Sequence, residues 1–437
     1  MTSPQTSPKP PAGKFQDPPD LMGLARSPLL SHFRQKADDL KDDGKKFPRL
    51  QAFLPQNLWP WISNYLKFAF RRKHRFPSYP GTGEQGLYQL KAADGGRVFK
   101  LSIVGDWGTG TREANDVALG MQSFDPDYTI HLGDVYYVGD KNEINENCLG
   151  QPAGGYNGVT WPKGKLGSFA MNGNHEMYAN GNAYFDNFLP TLGIPSSQDH
   201  AQLASFFCLE NDTWRILGLD TGYNSTGLPI LGGIPLLSKI PGIGADCKLE
   251  KTLLEWLKST VKVQEKPKPT IVLTHHQYYS AFEGGYKKPA KQLADLFGNQ
   301  ELIWIWGHEH RLAIYDKFSD SAMPAYGRCV GNGGMPIELK APRSDNAGRA
   351  LQYYDAREYA QYDGVKVGFN GFVNLKLAGT IAEFDYRDVT NKSLLVEQFI
   401  ATGGGAISQL FLFASPDLSK GKAAPQGVPA QPAGVNG

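Results

Sequence analysis

Five short segments of the chain place metal-binding types of side chain directly after apolar runs. They read Gly105-Asp106, Gly133-Asp134, Gly173-Asn174-His175-Glu176, Thr274-His275-His276 and Gly307-His308-Glu309-His310. A glycine lets the chain turn sharply where a strand ends and brings the next side chain inward. In open α/β sheets, ligands bind beyond the carboxyl ends of the strands. We therefore expect aspartate, asparagine and histidine side chains from five strand ends to converge on one point.

Carboxylates, an amide oxygen and imidazoles together form a typical set of metal ligands. The set is too large for one ion. It suits two ions about 3.5–4 Å apart that share a carboxylate, as in phosphatase and nuclease sites. Each motif alone is weak, because a Gly-Asp pair is usually a turn and a lone histidine after a strand is usually a core residue. Five such motifs in order favour a binuclear metal centre.

The elements that must position these residues are predicted from Val98 onward. Short β-rich runs are expected at Phe99–Val104, Tyr128–Leu132, Ser168–Met171, Ser205–Leu209, Trp214–Leu219, Thr270–Leu273 and Leu302–Ile305. Helical patterns lie between several of them, as over Lys248–Val263, where Leu249, Leu253, Trp256 and Leu257 share a face. This alternation predicts an α/β fold. After Gly371 the pattern predicts only strands, at Phe372–Leu377, Thr380–Tyr386 and Leu394–Phe399.

The flanking regions predict appendages to one catalytic domain over residues 98–414. Residues 1–50 are expected to be a disordered or poorly structured arm, and residues 415–437 a disordered tail. Residues 51–97 form an N-terminal extension with a helix-like apolar run from Trp59 that ends in Arg71-Arg72-Lys73-His74-Arg75. This basic amphipathic segment, residues 59–75, predicts either weak contact with an anionic membrane surface or a helix packed on the domain.

Composition limits the class of protein. The 437 residues carry a formal net charge of +2 and 41% hydrophobic residues, so a large core can form. Residues 1–75 hold 14 Lys and Arg against 6 Asp, whereas the remainder is acidic. A general nucleic-acid-binding protein would be basic throughout, so no nucleic-acid binding is expected.

The cysteines and the N-terminus indicate the compartment. Four scattered cysteines form no CxxC pair, so neither a disulfide framework nor a thiolate zinc site is expected. The first 30 residues lack the apolar core of a signal peptide, and the chain has no apolar run of 18 residues. The sequence therefore predicts a cytoplasmic protein.

The five motifs together resemble the calcineurin-like metallophosphoesterase superfamily, whose ordered signature is an Asp motif, GDxxx, GNH[DE], a late His and GHxH. The resemblance runs from Asp106 to His310 and implies an α/β/β/α sandwich of two β-sheets flanked by helices. Most members carry DxH in the first motif, but this chain has Asp106-Trp107-Gly108. Instead, Tyr137 stands three residues after Asp134, an exchange that resembles the purple acid phosphatase branch. A phenolate is a hard, anionic ligand that favours trivalent iron.

The resemblance implies roles for individual residues by position. The first ion, Fe³⁺, would be held by Asp106, Asp134, Tyr137 and His310. Asp134 would bridge to a divalent ion (Zn²⁺, Fe²⁺ or Mn²⁺) completed by Asn174, His275 and His308. His175 would lie beside the phosphate and stabilise or protonate the leaving oxygen. His276 adjoins His275, which is favoured as the ligand because the late histidine of the superfamily follows its strand directly.

One departure from the purple acid phosphatase pattern concerns the substrate side of the site. Members of that branch commonly place a further substrate-facing histidine shortly after the fourth motif, but residues 278–285 contain none. Tyr278, Tyr279 or Glu283 is expected to line the site instead.

The resemblance implies hydrolysis of phosphate monoesters, with a small phosphorylated substrate and attack by a metal-bound hydroxide. A phosphodiesterase with the same metals is an open alternative. The apolar insertion Gly222–Ala245 is expected to be either a lid or substrate wall, or a loop packed on its own chain. A second alternative is a non-catalytic, metal-bound scaffold or a membrane-associated partner protein. The non-ligand His175 argues against that alternative, because a scaffold has no need of it.

Overall fold

The computed structural model describes residues 40–42, 45–47, 72–79, 85–194, 201–226, 246–318, 322–343, 350–362 and 364–421. The apolar run from Trp59, most of the insertion Gly222–Ala245 and the end of the predicted tail lie outside the described residues.

The secondary structure is numbered here along the chain. The strands are β1 (Leu40–Asp42), β2 (Lys45–Phe47), β3 (Leu87–Gln89), β4 (Val98–Val104), β5 (Tyr128–His131), β6 (Gly167–Ala170), β7 (Phe207–Glu210), β8 (Arg215–Gly218), β9 (Thr270–Thr274), β10 (Leu302–Trp306), β11 (Leu312–Phe318), β12 (Ala325–Val330), β13 (Leu351–Tyr354), β14 (Glu358–Tyr362), β15 (Val365–Gly368), β16 (Gly371–Ala378), β17 (Ile381–Asp388), β18 (Ser393–Gly403), β19 (Ala406–Ala414) and β20 (Ser419–Lys420). The α-helices are α1 (Arg112–Ser123), α2 (Lys141–Asn147), α3 (Asn174–Tyr178), α4 (Lys251–Trp256) and α5 (Lys287–Phe297). A π-helical turn, Leu257–Val261, continues α4, and a second one covers Tyr184–Phe188, followed by a 3₁₀ turn at Leu189–Thr191.

Two large sheets carry the fold. The seven-stranded sheet has the order β19-β18-β17-β16-β4-β5-β6, in which β4, β5 and β6 run parallel. The nine-stranded sheet has the order β20-β13-β11-β12-β10-β9-β8-β7-β3, in which β8, β9, β10 and β12 run parallel. Helices α1 and α2 connect the parallel strands of the first sheet, as parallel pairing requires.

The inner faces of the two sheets pack against each other. Successive residues of a strand point to opposite faces, and β10 shows how this sorts its side chains. Ile303 and Ile305 join the core between the sheets, whereas Trp304 and Trp306 join the core under α4 and α5. A third core lies between the seven-stranded sheet and α1, where Val117 is buried. The protein is therefore the predicted α/β/β/α sandwich.

The nine-stranded sheet extends beyond the predicted domain limits of 98 and 414. Strand β3 pairs with β7 before residue 98, and β20 pairs with β13 after residue 414. Within the predicted arm, β1 and β2 pair as a short antiparallel hairpin. The four cysteines are free and buried. Among the described helices, none is long and apolar enough to cross a membrane.

The end of the basic segment contacts the domain itself. The Lys73 ammonium donates a 2.6 Å hydrogen bond to the carbonyl oxygen of Tyr223 and lies 3.7 Å from the centre of that ring. The His74 ring stacks on Phe185 at 4.8 Å between centroids. Lys73 and His74 therefore pack on the protein, while Arg72 is exposed.

A buried ion pair joins the two sheets. Arg328 on β12 makes two 2.6 Å hydrogen bonds to the carboxylate of Glu397 on β18, and neither side chain is exposed. Tyr386 and Gln409 also donate to this carboxylate, at 2.8 and 2.7 Å. A buried charge with this many partners is well satisfied, but removing one partner leaves the other uncompensated.

We expect Glu397→Gln to lower the free energy of unfolding by about 3–5 kcal/mol, because Arg328 would stay buried without its counter-charge. Urea unfolding followed by circular dichroism measures the change. Glu358→Gln is the matched control, since the pair of Glu358 with Lys366 is 41% exposed on both sides. The control should change the free energy by less than about 1 kcal/mol. Equal losses in the two variants would contradict the assignment of Arg328–Glu397 as a structural pair.

Candidate metal centre

The five sequence motifs follow the carboxyl ends of strands from both sheets. Asp106, Asp134 and Asn174 follow β4, β5 and β6 of the seven-stranded sheet, and His275 and His308 follow β9 and β10 of the other. The sheets meet closely here, because a Cβ on Gly105 would lie only 2.9 Å from the Cα of Gly307. The convergence predicted from sequence is present, and it takes place between two sheets rather than along the edge of one.

One group of donors surrounds the hydroxyl of Tyr136. This oxygen lies 2.8 Å from Oδ1 of Asp106, 3.1 Å from Oδ2 of Asp134 and 3.0 Å from Nε2 of His310. Nε2 of His310 is in turn 3.6 Å from Oδ1 of Asp106. All four side chains are buried. The group contains three oxygens and one nitrogen that face a common point.

A second group of donors shares Asp134 with the first. Nε2 of His275 lies 3.3 Å from Oδ2 of Asp134 and 3.1 Å from Oδ1 of Asn174. Nδ1 of His308 lies 2.9 Å from the same Asn174 oxygen and 3.3 Å from Nε2 of His275. The carboxylate of Asp134 therefore belongs to both groups.

The structure corrects the tyrosine of the first group. The sequence prediction named Tyr137, but the phenol placed against Asp106, Asp134 and His310 is that of Tyr136. Directly after Asp134, Val135 is bridged to Gly108 and the Tyr136 N–H donates to the Gly108 carbonyl oxygen at 2.8 Å, and a turn follows. These backbone contacts hold Tyr136 where its phenol reaches Oδ2 of Asp134. Tyr137 contributes its carbonyl oxygen, which lies 2.5 Å from Nδ1 of His175.

Backbone carbonyls fix which nitrogen His275 and His175 present to the site. Nδ1 of His275 lies 3.0 Å from the Leu132 carbonyl oxygen. Because a carbonyl oxygen only accepts, Nδ1 carries the proton and the free electron pair of neutral His275 is on Nε2, toward Asp134. His175 is held in the same way by Tyr137, and its Nε2 lies 3.7 Å from Oδ2 of Asp134. Outer partners of this kind orient metal-binding histidines.

Three of these residues adopt left-handed backbone, which is uncommon outside glycine. The φ angles are +57° at Asp106, +73° at Asp134 and +65° at His308. Such conformations cost on the order of 1–3 kcal/mol each and cluster at functional sites. The Asp106 turn is held in part by the His308 N–H, which donates to Oδ2 of Asp106 at 2.6 Å. This hydrogen bond from the turn after β10 therefore stabilises the strained turn after β4 in the other sheet.

The electrostatics of the group are those of a site built for a cation. Burial raises the pKa of Asp106 to about 7, with Asp134 adding to the effect and His275 opposing it. Burial also opposes ionisation of Asp134, but the charges of His175, His275 and His308 outweigh it and hold the pKa well below its ordinary value. Burial lowers the pKa of His275, yet Asp134 and Asp106 raise it to about 9. A metal ion would therefore bind by displacing protons that the cluster otherwise holds.

The donors fit metal ions in type and spacing. Ligands at about 2.0–2.2 Å from one ion lie roughly 3.0–3.4 Å from each other, and most of the contacts above fall near this range. Two sets of three potential ligands stand out, Asp106 with Asp134 and His275, and His275 with His276 and His308. These two sets overlap at His275, whereas the two donor groups described above share Asp134. The residues present fit two cations, one in each donor group.

The structure places the three residues that were expected to line the substrate side in different surroundings. The hydroxyls of Tyr278 and Tyr279 bond to the carbonyl oxygens of Met323 and Ala325, at 3.3 and 2.9 Å, and both rings are buried in the core. Those two tyrosines are therefore core residues, and the expectation that they line the site is wrong. Glu283 is half-buried, and its N–H donates to Ser280.

Tyr286 was not predicted from the sequence, and its ring lies 6.0 Å from that of His308 and 5.0 Å from that of His276. The position of this ring depends on how the preceding loop closes, which no local pattern in the sequence indicates. His276, left unassigned from the sequence, is buried, with Nδ1 3.1 Å from the Thr221 hydroxyl.

An α/β/β/α sandwich with these donors at the ends of its inner strands defines the metallophosphoesterase class of fold. Residues 99–312 match the model of the calcineurin-like phosphoesterase family. No curated protein sequence matches the chain.

Several solved structures are similar to the chain. GAP50, the anchor in the inner membrane complex of Plasmodium, is 14% identical with a TM-score of 0.43, over 75% of this chain and 90% of that one. The purple acid phosphatase PPD1 from yellow lupin seeds is 14% identical with a TM-score of 0.41, over 67% and 52%. PhoD is 11% identical with a TM-score of 0.42, over 72% of each chain.

Proposed function

We propose that the chain is a binuclear-metal phosphoesterase that hydrolyses small phosphate monoesters with Fe³⁺ and a divalent ion (Zn²⁺, Fe²⁺ or Mn²⁺). One observation carries the proposal: two groups of buried donors share the carboxylate of Asp134, and a histidine outside both groups, His175, faces the same carboxylate. The phenol of Tyr136 gives the first group a hard donor suited to trivalent iron. The second group, Asn174 with His275 and His308, suits a divalent ion.

The residues of the chain would divide the work of hydrolysis. Bound cations would lower the pKa of a water molecule and neutralise the charge of the phosphoryl oxygens. Asp134, Asn174 and the histidine ligands would hold the cations, because the strand ends fix these side chains in place. The water oxygen forms the new bond to phosphorus as the bond to the organic oxygen breaks. His175, held by the Tyr137 carbonyl, would donate a proton from Nε2 to that departing oxygen.

Parallel assays test this proposal and separate it from the phosphodiesterase alternative. The purified protein, loaded with iron and zinc, should hydrolyse p-nitrophenyl phosphate faster than bis-p-nitrophenyl phosphate. Removing metal with a chelator should abolish the activity, and adding the metals back should restore it. A faster reaction on the diester would favour the phosphodiesterase. Absence of both activities in protein that holds two metal ions would contradict the proposed function.

His175→Ala should keep the metal content but lose rate, because His175 is outside both donor groups. General acids contribute about 10²–10⁴-fold, so kcat on an alkyl phosphate should fall by roughly 10²-fold or more. The loss should be smaller on p-nitrophenyl phosphate, whose leaving group needs less help from an acid. His74→Ala, which removes a histidine on the surface beside Asp186, is the control. An unchanged kcat on the alkyl phosphate in His175→Ala would remove His175 from the reaction.

A further inference from the structure

Tyr286 is placed beside the second donor group by a closed loop. The loop from Gln277 to Tyr286 is joined at both ends, since the Tyr286 N–H donates to the Gln277 carbonyl oxygen at 2.9 Å and the Gln277 amide donates to Gly284 at 2.8 Å. The chain passes so tightly at Gly285 that a Cβ there would lie 2.9 Å from the Cα of Tyr279. The closed loop therefore fixes the position of Tyr286.

Helix α5 holds Tyr286 from the other side. The helix begins at Lys287, directly after the tyrosine, and its apolar face buries Ala290 and Leu293 under the nine-stranded sheet. Near the start of the helix, the exposed Lys288 ammonium donates a 2.6 Å hydrogen bond to the carboxylate of Asp246. A residue between a closed loop and an anchored helix has little freedom to move, which is what a binding surface requires.

Three rings meet at this point. The ring of His276 lies 4.5 Å from that of His308, and the ring of Tyr286 is nearly perpendicular to both, at 76° and 75°. His276 is itself fixed by Thr221, whose hydroxyl lies 3.1 Å from Nδ1 and 3.0 Å from the backbone nitrogen. The edge-to-face arrangement is a favourable one for aromatic rings. His276 therefore supports Tyr286 against the donor group.

Tyr286 differs from the donors in exposure. The ligating side chains and His276 are at most 4% exposed, whereas Tyr286 is half-buried. A phosphoryl group held at the donors has its organic substituent directed away from them. Within the described part of the chain, Tyr286 is the partly exposed ring in contact with the second donor group.

We propose that Tyr286, supported by His276, is the specificity-determining residue of the site and binds an aryl or other flat, apolar organic group of the substrate ester. The inference rests on the proposed function and narrows its substrate class. A ring gives a planar group a large apolar contact surface and a preferred stacking geometry. A small alkyl or polyol group gains much less from the same contact.

Binding of phosphonates tests the inference without relying on turnover, since their P–C bond is not hydrolysed. Metal-loaded wild-type protein should bind phenylphosphonate about tenfold more tightly than methylphosphonate, as measured by calorimetry. Tyr286→Ala should lose this preference while keeping its metal content. Tyr286→Phe should keep the preference, because the ring and not the hydroxyl makes the contact. Tyr362→Ala, at the tip of the β14–β15 hairpin, is the matched control and should behave as wild type.

The outcomes separate the inference from the function on which it rests. Metal-loaded wild-type protein that binds neither phosphonate contradicts the proposed function and the inference together. Wild-type protein that binds both phosphonates equally contradicts only the inference. A Tyr286→Ala protein that retains the preference for phenylphosphonate also overturns it.

Discussion

Asp134→Asn should leave the protein folded but unable to hold two metal ions, with kcat lowered by more than about 10³-fold. Replacing an outer partner of a metal ligand costs about 10–100-fold, and Asp134 is a donor in both groups. Its Oδ2 lies within 3.3 Å of the Tyr136 hydroxyl and of Nε2 of His275. Its Oδ1 accepts the His175 N–H at 2.9 Å. The amide keeps the shape and one acceptor but removes the charge that both cations need.

The measurement is metal content by atomic emission together with kcat on p-nitrophenyl phosphate. Asp116→Asn on α1 is a suitable control, because Asp116 forms a partly exposed i,i+4 pair with Arg112 on the same helix. Circular dichroism and urea unfolding establish that the variant is folded. A folded Asp134→Asn protein with two ions and the wild-type rate would show that Asp134 does not bridge the site.

Tyr136→Phe should abolish the visible absorption of the iron-loaded protein, whereas Tyr137→Phe should keep it. The band expected of a purple centre arises from charge transfer between a phenolate and Fe³⁺. The hydroxyl of Tyr136 lies among Asp106, Asp134 and His310, within 3.1 Å of each. The substitution removes one oxygen and leaves the ring, so the core around it should stay packed. Absorption spectra and iron content, recorded on the same samples, measure the effect.

The pair of variants is a matched comparison, because the two tyrosines are neighbours and both are buried. If only Tyr137→Phe lost the band, the phenolate ligand would be Tyr137, as the sequence motif indicates. Wild-type protein that is colourless, iron-free and fully active would exclude the purple acid phosphatase assignment. The match of residues 99–312 to the calcineurin-like phosphoesterase family would be unaffected by that result.

Much of the inner part of the fold could be predicted because its strands are apolar and short. The runs at β9 and β10 are buried along their length and β4 over its last four residues, so their hydrophobic residues are nearly continuous. Helix α1 was not predicted, because its buried face consists of small or isolated apolar residues, such as Ala114 and Val117, among polar ones. The irregular pairing of β11, which shifts register against both β12 and β13, likewise has no clear periodic pattern.

The site was predictable to the extent that its residues follow strand ends. The structure brings together the side chains of Asp106, Asp134, Asn174, His275, His308 and His310, all of which follow strand ends. The choice between Tyr136 and Tyr137 depends on the backbone contacts of Val135 and Tyr136 with Gly108, a residue far earlier in the chain, which no local sequence pattern indicates. The positions of Tyr286 and His276 depend on contacts between segments far apart in sequence, such as Thr221 with His276.

The division of the donors between two sheets has a consequence for the stability of the whole sandwich. The first group takes Asp106 and Asp134 from one sheet and His310 from the other, and the second group combines Asn174 with His275 and His308 in the same way. An ion in either group is therefore a cross-link between the sheets. Each tenfold rise in free metal above its Kd adds about 1.4 kcal/mol to the free energy of unfolding. Neither sheet alone supplies a complete donor group, so metal affinity should report the docking of one sheet on the other.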